Sequence, residues 1–219
     1  MLLPAALFLL VFVSCWIKLA SRGNVLFRQN RIGRGGKPFT IYKFRTMNPA
    51  AETSVHERYI ETLIRSGRPM TKLDFAGDNR LIKGGCMIRM TSLDELPQLV
   101  NILRGEMSFV GPRPCMPCEM PFYDPEDHRR FTVLPGLTGL WQVARTPNTT
   151  FREMVAMDAD YVLHASPWLD LTILIRTPAS VLRQFTSYLK YKLNRTRARL
   201  HPSKPVRRAI AGFPETHGS

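Results

Sequence analysis

Acid is in short supply in this chain. It carries 17 Asp and Glu against 31 Lys and Arg, for a formal net charge of +14 and a pI near 10.2. Such an excess calls for an anionic partner: nucleic acid, an anionic membrane surface, or phosphorylated substrates. Cysteine is scarce too. Four residues in a chain of 219 do not make a disulfide framework, so reduced thiols in a cytosolic setting are expected. Cys115-Met-Pro-Cys118 is a lone C-x-x-C with no second Cys or His pair at zinc spacing and no thioredoxin-like βαβ frame, and it reads as incidental. The glycine-rich Arg31–Lys37 stretch lacks the strand-to-helix pattern of a P-loop and reads as a plain turn. There is no internal repeat and no recognised nucleic-acid-binding motif. No basic region precedes the apolar N-terminus and no small-residue cleavage site follows it, so a signal peptide is not expected.

Hydrophobic content of 44% excludes a largely disordered chain, and the length suits one domain with a sizeable core. Residues 1–17 hold no charged side chain; as a helix they would measure roughly 26 Å, the short limit for a ~30 Å hydrocarbon core. Trp16 and Lys18 suit an interfacial end, and Arg22, Arg28, Arg31, Arg34 and Lys37 place the following flank on the cytoplasmic side. A membrane helix is expected over 1–20, with a buried core helix as the rival. Residues 24–47 read as a β-hairpin from the alternation at Val25, Phe27, Phe39 and Ile41. A short polar helix is expected from Glu52 to Arg65, ended by Gly67 and Pro69, then a loop over 74–90 holding Asp78, Arg80, Gly84, Gly85 and Arg89.

Thr91 to Pro114 is the stretch that organises the rest. Ser92 is placed to cap a helix, and Glu95 three residues on would complete a capping box. Leu93, Leu96, Val100 and Leu103 follow at helical spacing, and Gly105 offers a stop. Asp94 and Glu95 would sit at the positive end of the helix dipole, which favours their ionised form. On that pattern alone they could be ordinary helix starters. Further on, a lone His128 reads as a surface or packing residue. A Pro-Gly turn at Pro135 runs into a short apolar segment, and Phe151–His164 looks helical. Ser166-Pro167 starts another helix, rich in Leu and Ile, which Pro178 should kink or end. A buried core helix and an interfacial helix remain open for it. From Lys190 a basic tail follows (Lys192, Arg195, Arg197, Arg199, Lys204, Arg207, Arg208), suited to an anionic leaflet.

Taken together, these strings resemble the bacterial sugar transferase family, the monotopic polyprenyl-phosphate phosphoglycosyl transferases. The matching pieces are Pro4 in the apolar N-terminus, Phe27-Arg28-Gln29, Arg31-Ile32-Gly33, Tyr42–Met47, Asp78-x-Arg80, Gly85 and Arg89. Thr91–Gln98 with Asn101, Gly105–Pro114, Pro135–Gly139, Trp141-Gln142-Val143 and Trp168-Leu-Asp170 complete the set. The resemblance covers roughly residues 4–185, and the pairing of Asp-Glu with Gly-Pro-Arg-Pro is highly specific. Members carry a further basic and apolar stretch ahead of the Pro and commonly Ser where Leu3 stands, so a misassigned or truncated start is expected. The Arg that many relatives show after Gly85 is missing.

The resemblance implies a helix-rich α+β fold: a monotopic, membrane-associated domain with a re-entrant-type N-terminal helix, a small β-hairpin and interfacial amphipathic helices. It divides the chain into a membrane helix (1–20), a catalytic domain on the cytosolic face of the bacterial inner membrane (21–188) and a basic flexible tail (189–219). It implies transfer of phospho-sugar from a UDP-sugar to a polyprenyl phosphate with release of UMP, by a ping-pong route with an Asp-Glu dyad and Mg²⁺. Asp94 would be the nucleophile, Glu95 would handle metal or proton, and both would be metal ligands. Arg89, Arg113, Lys43, Arg45 and Arg145 are the candidate phosphate contacts, Arg being suited to bidentate binding. Inner-membrane lipids are expected partners, nucleic acid is not, and a homodimer is left open. The rival functions are a catalytically impaired membrane scaffold and, from charge alone, a nucleic-acid binder.

Overall fold

The computed structural model describes residues 2–48, 53–70 and 80–200; Asp78, Lys204, Arg207 and Arg208 lie outside the described residues. The fold is helix-rich α+β with a small β-hairpin, as expected. Helix α1 (Leu2–Ala20) docks by one stripe only. Leu10, Val13, Ile17 and Ala20 recur at helical spacing and pack on Val25, Phe44, Ile82 and Ile88. Burying Val13 and Ile17 stabilises this contact by about 1.5–3 kcal/mol each. Phe8, Val11, Phe12 and Leu19 face away and are exposed. Trp16 Nε1 donates to the Lys83 carbonyl at 3.1 Å. The indole lies over Gly84, where a Cβ would come within 2.6 Å of that nitrogen. The helix is thus neither buried all round nor free. Among the described residues, no helix is long and apolar enough to cross a membrane.

Strands β1 (Leu26–Ile32) and β2 (Pro38–Phe44) form the expected antiparallel hairpin, in register from Leu26 opposite Phe44 to Ile32 opposite Pro38. Arg45, just past β2, ties the hairpin to the end of α1. Its guanidinium donates to the carbonyls of Asn24, Ser21 and Met47 and to Ser21 Oγ. Helix α2 (Thr53–Ser66) ends at Gly67, as read from the sequence. Gly85–Met90 corrects an expectation: it forms a short helix, α3, where a loop is read. Six residues opened by a Gly-Gly pair carry too little periodicity to signal a helix. The segment is held by packing instead, with Ile88 and Met90 buried and Gly85 pressed against the Thr46 carbonyl.

After the Thr91–Gly105 segment, a three-residue strand β3 (Ser108–Val110) runs parallel to β4 (Gly136–Thr138). The two glycine turns that leave and enter these strands meet backbone to backbone. A Cβ on Gly136 would fall 2.1 Å from Gly111 N, and one on Gly139 would fall 2.2 Å from Gly111 O. No side chain fits there, so glycine is required by close approach. Helix α5 (Leu140–Ala144) follows at once, then α6 (Phe151–His164) with a Thr150–Glu153 capping box. Helix α7 spans Pro167–Leu200 with Ser166 Oγ accepting from Leu169 N at 3.3 Å. It continues past Pro178, so the proline does not end the helix. Pro178 is exposed, and the carbonyl it leaves without a helical donor belongs to the half-exposed Leu174. Val110, Val143, Tyr161 and Ile173 form the core that joins β3, α5, α6 and α7.

Candidate active site

The acidic pair sits on a different local structure from the one expected. Leu93–Gln98 is a 3-10 stretch that continues into α4 (Leu99–Leu103). Pro97 has no N–H to give to the Leu93 carbonyl, which removes one α-type bond there. Ser92 adopts a left-handed backbone (φ 57°) and its side chain caps nothing; the capping box is not formed. Glu95 reaches across to β2 instead, where Lys43 Nζ donates to its carboxylate at 2.7 Å. Asn101 fixes the spacing between the two segments. Its amide donates to the Thr40 carbonyl at 2.7 Å and its oxygen accepts from Tyr42 N at 3.2 Å, from full burial. The positive setting of the pair therefore comes from side chains more than from a helix dipole.

Those side chains line a cavity of about 560 Å³. All seven residues singled out in the sequence (Asp94, Glu95, Arg89, Arg113, Lys43, Arg45 and Arg145) are in its wall. Among the described residues the wall also holds Arg31 and Arg80, so seven Lys and Arg face two carboxylates. Asp94 is 8% exposed, at the base of this cationic surround. A small volume with that imbalance attracts polyanions, and diphosphates most of all.

The cations are held in different ways. Arg113, in the Gly-Pro-Arg-Pro turn, donates Nη1 to both oxygens of Glu119 at 2.9 Å. Burial opposes its charge, but Glu119 and Tyr123 outweigh that and hold Arg113 above the usual arginine range. Burial alone would raise the Glu119 carboxyl; Arg113 and Arg31 prevail and keep it below its ordinary value. Arg31, buried and beside Arg113, is lowered to about 10 by burial first and by that neighbour second. Its Nη1 donates to the Pro114 carbonyl at 3.0 Å and its Nη2 to Gln29 at 2.9 Å, which leaves Nε without a partner. Arg145 stacks over Trp141 and donates to Gln184 Oε1. Burial lowers Arg145, with Glu95 pulling the other way. Gln184 Nε2 in turn donates to the Arg89 and Met90 carbonyls, at 3.3 and 3.2 Å. Four of the five N–H groups of Arg45 go to the protein bonds described above, which ties it to the frame.

Glu119, Arg130, Asp158 and Gln184 were not legible as site residues. Glu119, Arg130 and Asp158 are nearly or fully buried around the Gly-Pro-Arg-Pro turn. Arg130 Nη2 donates to Asp158 Oδ2 at 2.7 Å and to the Arg113 carbonyl at 2.6 Å. A buried charge on a polar stretch leaves no signal in a sequence; an acid that is neither in an apolar run nor in a motif looks like surface. Gln184 sits deep in α7, at a distance that only tertiary packing closes. The four cysteines are free thiols, and burial pushes Cys115 and Cys118 up to about 11.

The family profile described as bacterial sugar transferase matches residues 1–184. The chain belongs to the bacterial sugar transferase family. Similar proteins include the UDP-glucose:undecaprenyl-phosphate glucose-1-phosphate transferase of Caulobacter vibrioides, 40% identical over 188 residues that make up 82% of this chain and 65% of that protein. The exopolysaccharide production protein ExoY of Rhizobium meliloti is 38% identical over 190 residues, 86% of this chain and 82% of ExoY. The galactosyl transferase CpsE of Streptococcus agalactiae is 41% identical over 161 residues, 73% of this chain and 35% of CpsE. The chain therefore spans less than two thirds of the length of two of these three family members.

Proposed function

We propose that this chain transfers a sugar-1-phosphate from a UDP-sugar to undecaprenyl phosphate, releasing UMP, and so starts exopolysaccharide assembly. The observation that carries the reading is the acidic pair Asp94-Glu95 inside a cavity rich in arginine, in a member of this family. A carboxylate nucleophile suits phosphoryl transfer once cations neutralise the substrate charge. Asp94 Oδ attacks the β-phosphorus of the donor; the new Asp–O–P bond forms as the bridging P–O bond breaks and UMP leaves with the electron pair. An oxygen of the polyprenyl phosphate then attacks the same phosphorus, the Asp–O–P bond breaks, and Asp94 is returned as the carboxylate beside a polyprenyl diphospho-sugar. Arg113, with its Nη2 and Nε outside the Glu119 contact, and Arg89 and Arg145 are the residues assigned to the diphosphate. Lys43 balances Glu95 and lies within reach of phosphate. Arg45 is assigned to holding the frame.

Among the described residues there is no cluster of three or more His, Cys, Asp or Glu that could hold a metal by itself. The donor set nevertheless fits Mg²⁺, which binds through one or two carboxylates plus substrate phosphate oxygens. Asp94 and Glu95 would hold it, and when bound it supplies charge neutralisation at the transferring phosphoryl group. Membrane association follows from a lipid-borne acceptor and from the exposed apolar faces of α1 and α7. We place the catalytic domain at the cytoplasmic face of the inner membrane, with the exposed apolar side of α1 toward the lipid. Membranes containing the protein, supplied with Mg²⁺, a panel of UDP-sugars and polyprenyl phosphate, are expected to release UMP. Asp94→Asn is expected to abolish that release; release at the parent rate would refute the mechanism, and a parent protein inactive with every donor would favour a scaffold.

A further inference from the structure

The cavity wall is not cationic throughout. Phe109 of β3, Leu137 of β4 and Leu174 of α7 also line it, and the chemistry above uses none of them. Ser108 pairs with Gly136 and Val110 with Thr138, so Phe109 and Leu137 are neighbours on the same face of the parallel pair. Phe109 is 53% exposed and Leu174 42%, a large apolar area to leave in water beside so many charges. Leu174 belongs to a longer surface. Trp168, Leu171, Ile175 and Leu182 are exposed on the same helix at spacings of three, four and seven residues, which puts them along one side. Leu174, three residues after Leu171, thus stands between the apolar patch of the cavity and the edge of that row.

We propose that this surface seats the hydrocarbon chain of the acceptor, with its phosphate among the cations and its first isoprene units over Phe109, Leu137 and Leu174. The proposal rests on the reading above that the acceptor is a polyprenyl phosphate. An amphiphile with an anionic head and a branched apolar tail matches a cavity whose wall holds both cations and an apolar patch. The side chains of Phe109, Leu137 and Leu174 themselves offer no hydrogen-bonding group to the edge of a uracil ring. A second copy of the chain would bring +14 against +14.

The test separates the two halves of the reaction. Exchange of labelled UMP into UDP-sugar needs no acceptor in a ping-pong scheme, so it reads the donor half alone and reports whether a variant is folded. For Phe109→Ser and Leu174→Ser, each in the full chain, the KM for a long-chain polyprenyl phosphate is expected to rise roughly tenfold. The advantage of long-chain over short-chain prenyl phosphate should shrink, while exchange continues. An unchanged acceptor KM would overturn the proposal. So would a matching rise in the KM for UDP-sugar, which would give the surface to the nucleotide. A prenyl phosphate bearing a photoreactive group near its head should, in the unaltered protein, label residues 108–110 or 171–175; labelling confined to other segments would also overturn it. Absence of both exchange and transfer in the parent would defeat the functional reading itself, whatever the variants do.

Discussion

Glu119 and Asp158 are both fully buried acids facing arginines, yet they titrate in opposite directions. Glu119 takes Arg113 on both oxygens, with Arg31 close by, and the cations win over burial. Asp158 has one oxygen on Arg130 and the Arg113 N–H, but its Oδ1 has no partner. Burial therefore wins and raises its carboxyl to about 6, although Arg130 opposite it, for which burial alone would be unfavourable, is raised by the same pairing. A carboxyl raised by folding from 3.8 to about 6 favours the protonated form in the native state. Its stabilising effect is present below the unfolded value and is lost as pH rises through about 6. Relative to the parent, Asp158→Asn should show its greatest loss of stability near pH 4, narrowing by on the order of 3 kcal/mol toward pH 7. Denaturant titrations of both proteins across that range check it, since the contribution of Glu119 cancels in the difference. Both acids act on the site through Arg113, and neither carries a sequence signature, because burial and pairing are tertiary facts.

At the scale of elements, the site depends on two glycine turns that touch. β3 ends in Gly111-Pro-Arg113-Pro and β4 begins at Gly136, so the approach of Gly111 to Gly136 and Gly139 sets where Arg113 and Gln142 stand. Gly136→Ala would put a methyl 2.1 Å from Gly111 N, against backbone that cannot yield cheaply. We expect a stability loss of about 3 kcal/mol or more, read as a lowered Tm, with activity lost in the same variant. Helix α7 closes the other side by a polar seam: Thr177 on Thr138 at 2.9 Å, Ser180 on the Gln142 carbonyl at 2.7 Å, and Gln184 beyond. These contacts explain why the helix does not stop at Pro178. Local chemistry alone argued for a break there, and packing along the inner face carried the helix past it.

The whole molecule has two unlike surfaces. The cationic cavity is one. The other is the exposed apolar side of α1 (Phe8, Val11, Phe12, Leu19) and of α7 (Trp168, Leu171, Ile175, Leu182). With an overall +14, both suit an anionic bilayer, where hydrophobic insertion and electrostatic attraction add. Purified protein should sediment with anionic vesicles more strongly than with neutral ones, and high salt should weaken binding without abolishing it. Loss of all binding at high salt would leave only charge at work. Replacing Leu171 and Ile175 with Ser should weaken binding to neutral vesicles as well.

The amino-acid sequence by itself determined the hairpin, the end of α2 at Gly67, the helix at Phe151–His164, the cap of α7, and the seven residues that meet in the cavity. Each of those rests on local chemistry: alternation, a glycine stop, a hydroxyl cap, or a motif whose residue types are distinctive. Tertiary structure decided the rest. Ser92, in a left-handed conformation, caps nothing, and Glu95 pairs with Lys43 of β2 at 2.7 Å in place of closing a capping box. α3 formed because its apolar side had a core to face. α1 became half-docked because its stripe at Val13 and Ile17 met Phe44, Ile82 and Ile88. In each case a long-range contact outweighed a local preference worth about 1 kcal/mol, and such contacts are invisible until the chain has folded.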